Sequence, residues 1–279
     1  MTPRRRLLLV PGIAGSILVV ICLTLLLVPD RQLLNVASRF AEQNGCSFRA
    51  DRFGKAFPLG VKGAGLVIAG DRGDLLEAAT ASLHIRLIPL LTGRVVFSFK
   101  TTMGGGTVQG EYAPHNGDLR LEAEGVRLEE IPFFRNVADA RVKGNFRMSG
   151  RFRLKGKEPD GELRLEVKGA DITEAKIGEL PMPVVENAAI QGMIRRKGAS
   201  LVLDSFTLQV EGLYVRLKGG LALVVPPTAS PLDMTLEVMP KPEFLDKQKL
   251  VFLLLTKYLV SPGNYAIPIK GTLAKPAPQ

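Results

Sequence analysis

The sequence predicts a mainly β protein: an N-terminal transmembrane helix, a large curved antiparallel sheet shaped as a groove or flattened half-barrel, and one C-terminal helix of about 18 residues. Three observations predict it. Leu7 to Val28, "LLLVPGIAGSILVVICLTLLLV", is a run of 22 residues without a charge. From Cys46 to the neighbourhood of Pro240 the apolar pattern has period two almost everywhere. One stretch, "RVKGNFRMSGRFRLKG" (Arg141 to Gly156), alternates for 16 residues without an error.

The uncharged run comes first. At ~1.5 Å per residue a helix over Leu7–Val28 reaches about 33 Å, the thickness of a bilayer core. Arg4, Arg5 and Arg6 directly precede it and no comparable basic cluster follows, so the positive-inside bias places residues 1–6 in the cytoplasm and everything after the 7–28 anchor across the membrane. A cleaved secretory signal is the alternative. Its apolar region is typically only ~7 to 15 residues, and the "PDRQ" that follows Val28 offers no small-x-small cleavage site.

Residues 29–45 form the connection. Leu33, Leu34, Ala37, Phe40 and Ala41 recur at helical spacing and the pattern closes on Asn44-Gly45, which predicts a short amphipathic helix leading out of the membrane. Residues 46–279 then read as one β-rich domain, because no Ser- or Pro-rich linker divides them. "TASLHIRL" sets Ala81, Leu83, Ile85 and Leu87 against Thr80, Ser82, His84 and Arg86, and "ELRLEVKG" sets Leu163, Leu165 and Val167 against Glu162, Arg164 and Glu166. Such strands have one wet and one dry face. Turn signals at "HNGD" (His115–Asp118), "KEPDG" (Lys157–Gly161) and "RRKG" (Arg195–Gly198) separate them into an antiparallel meander. "LEEIPFFRNV" interrupts it with one or two helical turns.

The 16-residue run is expected to be a single long wall strand. Its dry parity holds Val142, Gly144, Phe146, Met148, Gly150, Phe152, Leu154 and Gly156; its wet parity holds the six cations Arg141, Lys143, Arg147, Arg151, Arg153 and Lys155. Val142, Phe146, Met148, Phe152 and Leu154, with Leu163, Leu165 and Val167, are therefore the expected groove lining. Gly144, Gly150 and Gly156 are the expected bending positions, since missing side chains on one face let a sheet coil toward it. The alternative for a strand glycine is that it begins or ends a short strand. An aliphatic–Lys–Gly triplet recurs, as at Val61-Lys62-Gly63, Val167-Lys168-Gly169 and Ile269-Lys270-Gly271, without a fixed period. The cations face outward as a solvated wall or a contact for acidic lipid or protein surfaces, with Glu162 and Glu166 available as cross-strand partners.

"PEFLDKQKLVFLLLTKYLV" (Pro242–Val260) is the C-terminal helix, apolar all round from Leu250 to Leu255 and ended by "SPGN". Asp246, Lys247, Lys249 and Lys257 argue against a second crossing; packing on the sheet's dry face or open end is expected, with a membrane-surface helix as the alternative.

Charge and chemistry exclude much. The 37 Lys and Arg exceed 27 Asp and Glu by 10; without the three anchor arginines 34 exceed 27 by 7, a mild excess of scattered charge. Cys22 lies in the anchor and Cys46 beyond it, so no intrachain disulfide is expected; Cys46 reads as a small part-buried residue, or as an intermolecular bridge. "MGGGTVQGEY" has Gln109 where a dinucleotide fingerprint needs glycine, and neither Gly54-Lys55 nor Gly156-Lys157 is followed by Ser or Thr. His84 and His115 lack metal-ligand spacing. The expectation is no enzyme, no cofactor, no metal and, with no Trp and no aromatic residue on the basic parity, no nucleic acid.

In order, "FPLGVKGAGLVI" (Phe57–Ile68), "LIPLLTGRVVFSFKTTMGGGTVQGEY" (Leu87–Tyr112), "RVKGNFRMSGRFRLKG", "AKIGELPMP" (Ala175–Pro183) and "IPIKGTLAKP" (Ile267–Pro276) resemble the type II secretion system protein N (GspN) family, in the form related to AsmA-like periplasmic proteins. The resemblance covers nearly the whole chain and carries no catalytic residues. It implies a single-pass protein of the bacterial inner membrane with its bulk in the periplasm, an accessory or scaffold of the type II secretion machine whose partners are secretion-system inner-membrane proteins or the secretin. The AsmA-like relatives imply the alternative, a lipid-binding or lipid-transfer protein acting between inner and outer membrane, with phospholipid in the groove.

Overall fold

The period-two pattern builds one sheet. The structure, a computed structural model, describes residues 29–156, 158–177, 180–224, 229–273 and 275–279. The expected span at 7–28, with Arg4, Arg5, Arg6, Leu7 and Val28, lies outside the described residues; among those described, no helix is long and apolar enough to cross a membrane.

Helix α1 (Asp30–Gln43) precedes the strands. Asp30 in its first turn suits the positive end of the helix dipole. At its other end Gly45 has φ +74°, its N–H donates to Glu42 O and that of Cys46 to Ala41 O, a Schellman stop that only a residue tolerant of the left-handed region makes cheaply. Leu33, Leu34, Ala37 and Ala41 are half-buried, but Phe40 of the expected stripe is exposed, because β1 is the helix's one substantial packing partner and covers a narrow face.

Strands β1 (Ser47–Ala56), β2 (Gly60–Gly70), β3 (Gly73–Ile85), β4 (Phe97–Met103), β5 (Gly106–Ala113), β6 (Asp118–Arg127), β7 (Arg141–Arg153) and β8 (Asp160–Thr173) pair antiparallel, each with the next. A two-stranded side hairpin, β9 (Lys176–Ile177) and β10 (Leu180–Pro181), interrupts the meander. It resumes through β11 (Val185–Lys197), β12 (Ser200–Val210), β13 (Leu213–Ala222), β14 (Pro231–Pro240) and β16 (Asn264–Thr272), and the short β15 (Leu259–Ser261) and β17 (Lys275–Pro278) both pair with β16. The result is an open antiparallel sheet of 15 strands.

A meander puts alternate connections at opposite ends. The proximal end carries the links after β1, β3, β5, β7, β11 and β13, including α2 (Leu87–Leu91); it is also where the chain enters from residue 29, because the Asp30 carboxylate lies against Gly54, two residues from the end of β1. The distal end carries the long connectors. A 3-10 turn (Leu128–Glu130) and α3 (Pro132–Asn136) link β6 to β7, as the "LEEIPFFRNV" pattern predicts, and α4 (Pro242–Lys247), α5 (Lys249–Leu254) and a 3-10 turn (Thr256–Tyr258) link β14 to β15.

This last segment corrects the expected single C-terminal helix. Gln248, at φ −127°, ψ 37°, separates two six-residue helices, and Leu259 and Val260 belong to β15. The physical reason is long-range. Gln248 Nε2 donates to Val184 O and Val184 N donates to Gln248 Oε1, both at 2.8 Å, so the side chain pairs with the backbone ahead of β11 as a strand would, and the helix breaks to present it.

The 16-residue run is shorter as a strand than its alternation predicts. β7 ends at Arg153; Leu154 N donates to Gly117 O across the neighbouring turn, and Gly156 is exposed in open space, so it cannot bend the sheet. Gly144 sits at a register shift between Lys143 and Asn145 with φ +139°, and a Cβ there would lie 2.8 Å from Val167 Cγ1. The triplet glycines divide likewise: Gly63 is buried, whereas Gly169 and Gly271 are exposed, Gly169 beside the shift at Ala170.

Candidate apolar binding face

The side-chain parity of each strand continues into its neighbours through the register, so the dry face is built of cross-strand rows. One row runs Val61, Leu83, Phe99, Gly110, Leu121, Gly150, Leu163, Ile194, Leu203, Gly219, Met234, Ile269. Not one polar side chain enters it across twelve strands. Nearer the proximal end lie Ile85, Phe97, Tyr112, Leu119 and Phe152; nearer the distal end, Val126, Phe146, Val167, Ile190, Leu208, Val215, Val238 and Tyr265.

Cover differs sharply along the strands. At the distal end Phe252 and Leu255, 2% and 0% exposed, and the buried Tyr258 press onto Val167, Ile190, Leu208, Val238, Tyr265 and Ile267. The Phe252 ring stands 5.4 Å from Tyr265 and 6.3 Å from Phe244. The β6–β7 connector closes the other side, where Ile131 and Phe134 pack with Ala123, Val126, Phe146 and Met148, and Asn136 Nδ2 donates to Asp74 O at 2.7 Å to fasten the connector to β3. Toward the proximal end no connector among the described residues joins the buried clusters. Phe97, Phe99, Tyr112, Leu119, Leu121, Phe152 and Leu163 are half-buried and Leu83 is 40% exposed.

The expected lining therefore divides. Val142, Phe146, Leu165 and Val167 join the distal core and Met148 its smaller satellite; Phe152 and Leu163 belong to the half-exposed floor, and Leu154 is half-buried just beyond the end of β7. Phe97, Phe99, Tyr112, Leu119 and Leu121 complete that floor. None was singled out from the sequence, although "FSF" and "DLRL" carry the same alternation.

Glycines in the floor are roofed by their neighbours. A Cβ on Gly110 would lie 2.5 Å from Phe99 Cζ, one on Gly150 2.6 Å from Leu163 Cδ1, and one on Gly192 2.8 Å from both Leu165 Cδ1 and Phe206 Cδ2. Large side chains lie flat across the gaps, which smooths the surface and protects strand backbone that glycine would leave bare.

The opposite face is polar. Of the six cations in the 141–156 run, Arg141 pairs with Glu174 at 2.9 Å, Arg153 with Asp118 at 3.7 Å and Arg147 with Glu124 at 3.9 Å, while Lys155, beyond the end of β7, donates to Pro114 O. Register sets Arg151 opposite Glu162 and Arg147 opposite Glu166, but those carboxylates pair along their own strand with Arg164 and Lys168. All are solvent-exposed pairs of small energetic weight. A cavity of about 410 Å³ on this face is lined by Ser82, His84, Ser98, Lys100, Gln109, Glu111, Arg120 and Glu122. Among the described residues no three His, Cys, Asp or Glu side chains converge as metal ligands, and Cys46 is a part-buried free thiol. Comparison with known proteins finds no matching family model, no similar curated protein and no similar solved structure.

Proposed function

We propose that this is a membrane-tethered, periplasmic protein of the bacterial inner membrane that holds phospholipid acyl chains against the uncovered floor of its sheet, passing them between inner and outer membrane. In this reading the sheet curls toward its dry face into a groove. One observation carries it: an apolar surface, continuous across twelve strands and free of polar side chains in its central row, that among the described residues is covered by connectors at its distal end and half-exposed at its proximal one. Contiguous apolar surface of this extent on a folded protein marks a binding face. An acyl chain asks only for such a surface and needs no directed hydrogen bond.

The test is site-specific photocrosslinking of the full chain in cells. A benzophenone side chain at Phe99, Leu121 or Phe152 is expected to yield phospholipid adducts by mass spectrometry, and one at Lys100 or Arg151 on the polar face is not. Floor positions that capture no lipid, or only protein, end the reading.

The second reading is the accessory or scaffold component of the type II secretion system that the sequence resemblance implies. Beyond that resemblance, what favours it is the outward side of the distal connector: Leu250, Leu253, Leu254, Leu259 and Val260 are exposed together, an apolar patch suited to a protein partner. Crosslinks from Leu253 to secretion-system inner-membrane proteins or the secretin, with exoproteins stranded in the periplasm on deletion, would place it ahead of lipid binding.

A further inference from the structure

At the proximal end a compact corner is built from the β1–β2 turn and the β3–β4 link. Phe57 at the tip of the first is 90% exposed, and Ile88, Leu91 and Val95 in the second are 79%, 54% and 37% exposed. The two connections are neighbours, since Gly60 is in register with His84 and Ile85 N donates to Leu59 O at 2.8 Å. They are not misplaced core residues. Leu59, between them, is 1% exposed and fills the interior of the corner, while the other four point away from it.

The charge around them is mainly positive. Residues 52–62 and 84–100 hold six cations, Arg52, Lys55, Lys62, Arg86, Arg94 and Lys100, and no carboxylate. Arg86 reaches Glu111 on β5 at 2.6 Å, and Asp30 lies beside Gly54, so six cations face two carboxylates at the corner. Arg52, Lys55, Lys62 and Lys100 line a cavity of about 620 Å³ with one carboxylate, that of Asp30, and the hydroxyls of Thr80, Ser82 and Thr102. Apolar tips amid lysine and arginine fit the boundary between acyl chains and anionic headgroups.

The position of the chain decides which surface covers the corner. α1 runs back along β1, so its first residue lies beside Gly54, three residues from Phe57. Immediately before it stand the 22 uncharged residues of Leu7–Val28. On the reading of that run as a membrane span, the chain enters the described structure at this corner, which would be held near the lipid.

We propose that the corner formed by Phe57, Ile88, Leu91 and Val95, with Arg94 and its basic neighbours, docks into the membrane leaflet from which the anchor emerges. The proposal rests on the reading of residues 7–28 as a span and deepens the lipid-binding reading, because it sets the open end of the floor, at Ile85 and Phe97, at the bilayer surface. The distal connector then points away from the membrane.

The chain has no tryptophan, so a single introduced one reports its own surroundings. Full-length Phe57→Trp is reconstituted into vesicles of phosphatidylethanolamine and phosphatidylglycerol, with and without brominated acyl chains; Leu254→Trp serves as the distal counterpart. Trp at 57 is expected to show blue-shifted emission and to lose most of its intensity to bromolipid, while Trp at 254 keeps its intensity. Adding Ile88→Glu and Leu91→Glu to Phe57→Trp is expected to restore most of the lost emission with the strand signal in circular dichroism unchanged, both positions being exposed. Unquenched Trp at 57, equal quenching at 57 and 254, or quenching indifferent to the two glutamates each overturns the proposal. Phospholipid adducts at Phe99 alongside unquenched Trp at 57 remove docking and leave lipid binding intact; quenched Trp at 57 without adducts does the reverse.

Discussion

The two ends of the same strands make the informative comparison. Phe146 and Phe152 both lie on β7, six residues apart on one parity, yet Phe146 packs into the distal core while Phe152 stays on a half-exposed floor. β6 repeats the contrast, with Val126 buried and Leu119 half-exposed. Strand type and hydrophobicity are alike at both ends; the distal half differs in its register shifts, at Ala123/Val126, Lys143/Asn145 and near Ala170, and in its connectors. The distal links between β6 and β7 and between β14 and β15 are long enough to fold back over the sheet, and the proximal ones are mostly tight turns. Buried packing is thus concentrated at one end, and the floor at the other stays half-exposed.

The sharpest way to break this comparison is a matched pair of truncations. Leu255→Ala removes a fully buried side chain beneath the distal connector and should cost about 2 to 5 kcal/mol by urea unfolding. Leu83→Ala, on the floor, should cost about 1 kcal/mol or less, as its side chain is already partly in water. Equal losses would mean that the floor is covered in solution.

Gly150→Leu probes the roofing of the floor. Its Cβ would collide with Leu163, so a loss of about 1 to 3 kcal/mol is expected, together with reduced phospholipid capture at Phe152. A neutral substitution would show that Leu163 swings away freely. Gln248→Ala removes both hydrogen bonds to Val184 and should cost about 1 kcal/mol. Its signature is local: hydrogen exchange should quicken across residues 242–260 and stay unchanged in β3 to β5. Smallest of all, Arg153→Ala on the polar face should shift stability by no more than about 0.5 kcal/mol, since its pairing with Asp118 is exposed and long. A larger effect would give the basic wall a structural role that its geometry does not support.

Much of the sheet was legible because pleat parity is local. Alternation places Leu163 and Phe152 on the dry face and Arg151 and Glu162 on the wet one, and register carries that assignment from strand to strand. Bulges were less legible: the shifts at Lys143/Asn145 and near Ala170 follow from how neighbouring strands meet, so the sequence marks Gly144 only as one of three expected bending positions beside Gly150 and Gly156, and Gly169 as one more triplet glycine. The broken helix at Gln248 was hidden for a similar reason, as its partner Val184 lies 64 residues earlier.

Away from the bulges, the amino-acid sequence alone determined which side chains share a face, because period two is a property of a few adjacent residues and an unbroken pleat permits no other arrangement. Only the tertiary structure decided which part of that face is covered. Cover comes from residues 128–140 and 242–260 returning to strands far away in the chain, and an alternating pattern reads the same under a connector as it does in the open.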